Sequence, residues 1–297
     1  MAKAKDTAKI ERLRNLSTSP DAQIEYALRL VQAEHHPDVI QAALDVLAAT
    51  ADPRARLAIV DAYAACTDGR RHDPGCYMRT ALMQALRHMG CRDDVGMVEQ
   101  AVSTYEFMPP FTGPTEGEVA AGLRSVALIT LNEIDETLAG FHSARLLVDR
   151  YTSSMSGEPA VTAARVLATQ DQILPLYAYV LRAEPDVPEV VGECLRHLTA
   201  LPVSLLAPLV ERYLASADEI VLLGLFDLLL AHEAQALFTA TVLDFLRTTR
   251  FYNLYRYLVS TIVAGRRDGL IAPLEALVAT EEDRLKVEIL QQALELR

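Results

Sequence analysis

The chain of 297 residues is 51% hydrophobic and 23% charged, with 13 Gly and 14 Pro, a balance that supports a buried core and excludes a collagen-like or globally disordered chain. Its net charge is −12, and because residues 1–16 carry five bases against Asp6 and Glu11 the rest of the body lies near −15, which disfavours nucleic acid as a partner. Four cysteines (Cys66, Cys76, Cys91, Cys194) with no CxxC exclude a disulfide framework and fit reduced thiols in the cytoplasm.

The start, MAKAKDTAKIERLRNL, lacks the apolar run of a secretion signal and reads as a basic helix or leader over residues 1–19, ahead of a single domain spanning 20–297. Apolar residues then recur at helical spacing almost throughout. Five segments share apolar or small residues at i, i+4, i+5 and i+8, which at about 100° per residue fall on one helix face. They are Val39/Ala43/Leu44/Leu47, Met78/Leu82/Met83/Leu86, Val190/Cys194/Leu195/Leu198, Ile220/Gly224/Leu225/Leu228 and Leu285/Ile289/Leu290/Ala293. Leu254/Leu258/Val259/Ile262 fits as a sixth, and 117–131 and 158–169 are helical with a weaker match.

The boundaries between helices are also marked. Asp52 suits a helix cap and Pro53 the first turn that follows it. TDGRRHDPG (67–75) and FMPPFTGPTEG (107–117) read as loops on their Pro and Gly content. MGCRDDVGMVEQAV (89–102) and AGRRDGLIAPLEALV (264–278) each run a glycine stop, a charged turn and an amphipathic helix. The helical starts fall near 37, 74, 115, 157, 187, 217, 251 and 281, with a period of about 30 in the C-terminal half. The longest apolar run, Ile220 to Ala231, is broken by Asp227 and falls short of the roughly 20 residues of a membrane span.

On PDVIQAALDVLAATADPRARLAIVDA (37–62) and the two glycine-turn segments, the chain resembles the HEAT-repeat α-solenoids, including the HEAT-like repeats of phycobilisome-lyase type. The resemblance implies an all-α, right-handed α-α superhelix (HEAT/armadillo-like) of about eight helical pairs, with the second helix of each pair lining a concave surface. It carries architecture rather than activity.

If i, i+4, i+5 and i+8 are buried, then i+2, i+6 and i+9 face outward. Those positions are mostly polar or small (Gln41, Asp45, Ala48; Thr80, Gln84, Arg87; Gly192, Arg196, Thr199), but in EIVLLGLFDLLL they are Leu222, Phe226 and Leu229. This expects an apolar strip flanked by Arg196 and Arg256 as a partner surface, although a helix apolar all round is ordinarily buried. Asp227, on the edge of that helix, reads as a carboxylate bonded to a neighbouring repeat. Tyr252 and Tyr255 in TRFYNLYRYL, and Phe107 and Phe111 in the Pro-rich loop, are the further interface candidates.

No GxGxxG, P-loop, GxSxG or HExxH occurs, and Cys66-x5-His72-x3-Cys76 is not a structural-zinc spacing, so neither cofactor nor metal is expected. The expected function is a non-enzymatic scaffold for a protein or peptide, with self-association as another use of the same strip. The alternative is an enzyme on a HEAT-like solenoid, of bilin-lyase or DNA-glycosylase type; the absence of Trp and of a basic stripe leaves the glycosylase site without matching residues.

Overall fold

A computed structural model of the protein describes residues 2–34, 36–50, 52–109, 117–182, 187–265 and 268–295. Among these the chain is all-α, with seventeen α-helices and one two-stranded ladder. It divides into two compact units, Met1–Gln170 and Asp171–Arg297. No helix among the described residues is long and apolar enough to cross a membrane.

The first unit runs α1 (Ala2–Asn15), α2 (Pro20–Ala33), α3 (Pro37–Thr50), α4 (Pro53–Thr67), α5 (Tyr77–Leu86), α6 (Val95–Val102), α7 (Ala121–Ile134), α8 (Glu136–Leu146) and α9 (Ala160–Thr169). Between α6 and α7 lie the strands β1 (Phe107–Met108) and β2 (Gly117–Glu118), paired antiparallel. The second unit runs α10 (Ile173–Val180), α11 (Pro188–Arg196), α12 (Val203–Tyr213), α13 (Glu219–Ala231), α14 (Thr239–Thr248), α15 (Tyr252–Ala264), α16 (Asp268–Val278) and α17 (Arg284–Glu295).

Most helices pack on a sequence neighbour, and alternate helices also pack on one another. In the first unit α1 packs on α3, α3 on α5, α5 on α7 and α7 on α9; in the second, α11 packs on α13, α13 on α15 and α15 on α17. That two-step contact is what repeated helical pairs make when each pair buries its apolar face on the next. The N-terminal segment takes part: α1 packs on α2 and α3, and Leu13 is buried.

Local chemistry sets the helix starts. Asp52 Oδ1 accepts the Arg54 N–H at 2.8 Å, Asp135 Oδ1 that of Leu138 at 3.0 Å, and Asp218 Oδ1 that of Ile220 at 2.9 Å. The helix ends draw on the following repeat. Arg71 Nη1 donates to Val31 O (2.8 Å), Arg145 Nη2 to Val102 O (3.2 Å), Arg212 Nη1 to Leu181 O (3.3 Å), and Lys286 Nζ to Leu246 O and Arg247 O (2.8 and 2.9 Å). Each places a cation on the carbonyls left open at a helix C-terminus, where the helix dipole is negative.

The buried face agrees with the sequence pattern in α3, α5, α11 and α15: all four repeat positions of each are buried. In α13 and α17 the first position departs. Ile220 and Leu285 were expected in the core and are each 42% exposed.

An ion pair ties two repeats of the first unit. Arg56 of α4 donates twice to Asp94, from Nε (2.8 Å) and Nη2 (2.7 Å), and the Cys91 N–H adds a third bond at 2.9 Å. Burial raises the Asp94 carboxyl, but these donors outweigh it and hold it below its ordinary value. A carboxyl depressed in the folded state contributes stability that is full above its unfolded pKa, about 3.9, and is lost as pH falls through the folded value. Asp94→Asn is therefore expected to cost about 1–2 kcal/mol at pH 7, with the gap to wild type narrowing as pH falls below the unfolded value, about 3.9. Urea titrations above and below that value check this.

Candidate functional site

In α13, EIVLLGLFDLLLA, only Glu219 and Asp227 are charged among 13 residues. Its solvent-facing line is Ile220, half-buried Leu223 and Asp227, spaced i, i+3 and i+7. On one side, Gly192 of α11 and Gly224 bring the two helix backbones into contact. On the other side lies α15.

Asp227 joins the three helices. Its Oδ2 accepts from Arg196 Nε (3.0 Å) and lies 2.9 Å from Nη2, and its Oδ1 accepts from Tyr257 Oη at 2.7 Å. Arg196 also donates to Glu193 Oε2 at 3.3 Å, and His197 Nε2 lies 3.1 Å from Glu193 Oε1. The steps from 196 to 227 and from 227 to 257 are 31 and 30 residues. Those steps are close to the period of the repeat, so three successive repeats contribute a base, an acid and a phenol to one ladder. Burial first, and then the bond to Asp227, push the Tyr257 hydroxyl above its ordinary value, so it is a neutral donor.

Beside this ladder a groove of 260 Å³ opens between α13 and α15, lined by Glu219, Ile220, Leu223, Asn253, Leu254 and Tyr257. Glu219 Oε1 accepts the Leu254 N–H at 2.9 Å and so fastens the start of α13 to α15. Tyr257 is 41% exposed. Its hydroxyl is fixed on Asp227, which leaves the ring standing at the groove edge without free rotation. The site thus offers apolar surface next to an amide and a carboxylate.

The chain matches no protein-family model and no curated protein. The functional reading rests on the chemistry of the site.

The expected apolar strip is corrected by the structure. Leu222, Phe226 and Leu229 are each at most 1% exposed. The Phe226 ring packs on Phe245 of α14 with centroids 4.3 Å apart, so this side of α13 faces the protein interior and not solvent. Gly192, expected to face outward, is likewise buried, against α13.

Of the other candidates, Arg196 sits in the ladder, half-buried and bonded on both sides, and Arg256 is exposed on α15. Tyr252 is exposed, and its hydroxyl donates to Asp283 Oδ2 at 2.7 Å. Tyr255 is fully buried, its ring 5.2 Å from the Lys286 ammonium and its hydroxyl without a partner among the described residues. Burial, and then the charges of Glu281 and Asp283, push that hydroxyl up. Phe107, in the first unit, is half exposed and stacks edge-on against Tyr151 at 5.1 Å. Phe111 lies outside the described residues.

The groove residues Glu219, Ile220, Leu223 and Asn253 were not singled out from sequence. Asp227 was, and its bonds to both neighbouring repeats match the expectation of a partnered carboxylate.

Proposed function

We propose that the chain is a non-enzymatic interaction module, a cytoplasmic HEAT-like repeat protein that holds a protein or peptide segment on the solvent-facing side of its repeat helices. The observation that carries this reading is the α13–α15 groove, where Ile220, Leu223 and Tyr257 stand beside Glu219 and Asn253. Apolar anchors next to a polar rim are the anatomy of a recognition surface. The ladder behind the groove supports it further: a tyrosine already fixed by Asp227 loses little rotamer freedom when a partner covers it. Both Asp227 oxygens are engaged by Arg196 and Tyr257, which suits a positioning role over proton transfer. Four free cysteines agree with a reducing compartment.

Quantitative affinity capture tests the reading. Ile220→Asp and Tyr257→Ala are each expected to lower recovery of the partner about tenfold or more, with helical content unchanged by circular dichroism. Tyr257→Phe keeps the ring and is expected to lower it less. Undiminished capture by folded Ile220→Asp and Tyr257→Ala would remove this surface from the account. Base release from alkylated DNA, or an absorbance change on adding a bilin, would replace the scaffold with the enzyme alternative.

A further inference from the structure

Two adjoining hollows of 480 and 330 Å³ run along α2 and α4 in the first unit and share Gln32 and Asp61. Together they make a trough from Arg54 to Ala65, about 17 Å long at 1.5 Å per helical residue, room for roughly five extended residues. Small side chains floor it: Ala58 is 4% and Ala62 5% exposed. Leu57 lines it at 62% exposure.

At one end lies Arg71, only 5% exposed. Its Nη atoms donate to Val31 O and Glu34 O, backbone carbonyls at the end of α2. Its Nε–H is closed off from solvent and has no partner, and among the described residues no carboxylate pairs with the guanidinium. The nearby acids are engaged elsewhere: Glu34 with Lys9, and Asp68 with Arg70 at 2.7 Å. Asp61 is the one carboxylate lining this end, and Arg70 and Gln32 line it as well.

A buried guanidinium without a counter-charge is costly, and carbonyls at a helix end offset only part of that cost. A carboxylate in the trough supplies the missing counter-charge. A doubly charged phosphate is disfavoured by Asp61. The alanine floor and Leu57 accommodate the chain that carries the carboxylate.

We propose that the α2–α4 trough docks a peptide segment whose carboxylate is held at Arg70 and Arg71. It shares no residue with the α13–α15 groove, so each site stands or falls alone.

Three probes against the full chain, read by calorimetry and by ¹⁵N NMR of arginine side chains, test it. The first is acetyl-Ala-Leu-Ala-Leu-Ala with a free C-terminus, the second replaces the last residue by Glu and is amidated, and the third is the amidated neutral peptide. At least one charged probe is expected to bind ten times or more tightly than the neutral one and to shift the Arg71 Nε–H signal. Binding of only the first assigns a chain end, and of only the second an acidic side chain; both support the site. Arg71→Gln is expected to abolish binding but also removes a helix cap. Two variants that leave the cap intact therefore decide the matter. Asp61→Asn is expected to tighten binding about threefold by removing a like charge, and Arg70→Ala to weaken it. Equal binding of the neutral peptide, no binding of any probe at millimolar concentration, or an unchanged affinity in Asp61→Asn overturns the proposal. Ile220→Asp is expected to leave these affinities unchanged.

Discussion

Gly224→Ala is expected to destabilise the second unit by about 3 kcal/mol or more, although alanine is the better helix former by roughly 1 kcal/mol. A Cβ at Gly224 would stand 2.1 Å from Gly192 O and 2.5 Å from Gly192 Cα, and a Cβ at Gly192 would stand 2.6 Å from Ile220 O. These contacts are with backbone, which cannot swing aside like the end of a side chain. The helices must separate, and α13 carries Asp227 with it, so the bonds to Arg196 and Tyr257 loosen together. Hydrogen exchange should accelerate in α11 and α13, and the urea midpoint of the second unit should fall. Gly96→Ala and Gly122→Ala serve as controls. Both lie in helices, and a Cβ at either meets nothing within 4 Å, so each is expected to be neutral or to stabilise by about 0.5–1 kcal/mol. Equal stability of Gly224→Ala and wild type would show that α11 and α13 are not in backbone contact.

How far the fold was legible depends on whether polar residues reveal the phase of each helix. In α3, PDVIQAALDVLAAT, the exposed Gln41 and Asp45 mark the wet side, and the positions read as buried are buried. The break at Asp52-Pro53 was equally readable, because cap and first-turn chemistry are local. In α13 nearly every position is apolar, so several rotations of the helix satisfy the same pattern. What fixes its rotation is tertiary: the glycine contact with α11 and the stacking of Phe226 on Phe245. Leu222, Phe226 and Leu229 were assigned outward on a phase that the pattern could not supply. Beyond Glu219 in the first turn, Asp227 was the charged residue in that helix that carried phase information, and it does lie on the wet line next to the groove.

The caps at helix ends were hidden for another reason. Arg71, Arg212 and Lys286 bond carbonyls 40, 31 and 40 residues away, and nothing in their own segments distinguishes them from surface cations. The groove shares this difficulty. Glu219, Ile220 and Leu223 come from one repeat and Asn253 and Tyr257 from the next, so it exists only once the two helices are side by side. The ladder shares it too: Arg196, Asp227 and Tyr257 stand at i+6, i+7 and i+3 of their segments, so no single column of the pattern aligns them and only the packed helices bring them together.

Arg124→Met is expected to cost the first unit about 3–5 kcal/mol, the range for removing one side of a buried charge cluster. Arg124 is fully buried on α7. Its Nη1 lies 2.8 Å from Glu118 Oε1 and donates to Thr104 O at 3.1 Å, its Nη2 donates to Glu118 Oε2 at 3.1 Å, and its Nε lies 3.6 Å from Asp149 Oδ2. The guanidinium also sits 4.3 Å from the Tyr105 ring, whose hydroxyl donates to Asp149 Oδ2 at 2.9 Å. Methionine keeps much of the volume, so the loss is mainly electrostatic: Glu118 and Asp149, both largely shielded from water, are left without their cation. Because Glu118 is part of β2, the β1–β2 ladder is expected to open with it. Neutralising the carboxylates separates this from a packing defect, since a cavity costs the same whether or not they are charged. Glu118→Gln with Asp149→Asn in the Arg124→Met background is expected to recover part of the loss. No recovery in the triple variant would mean that Arg124 contributes packing alone.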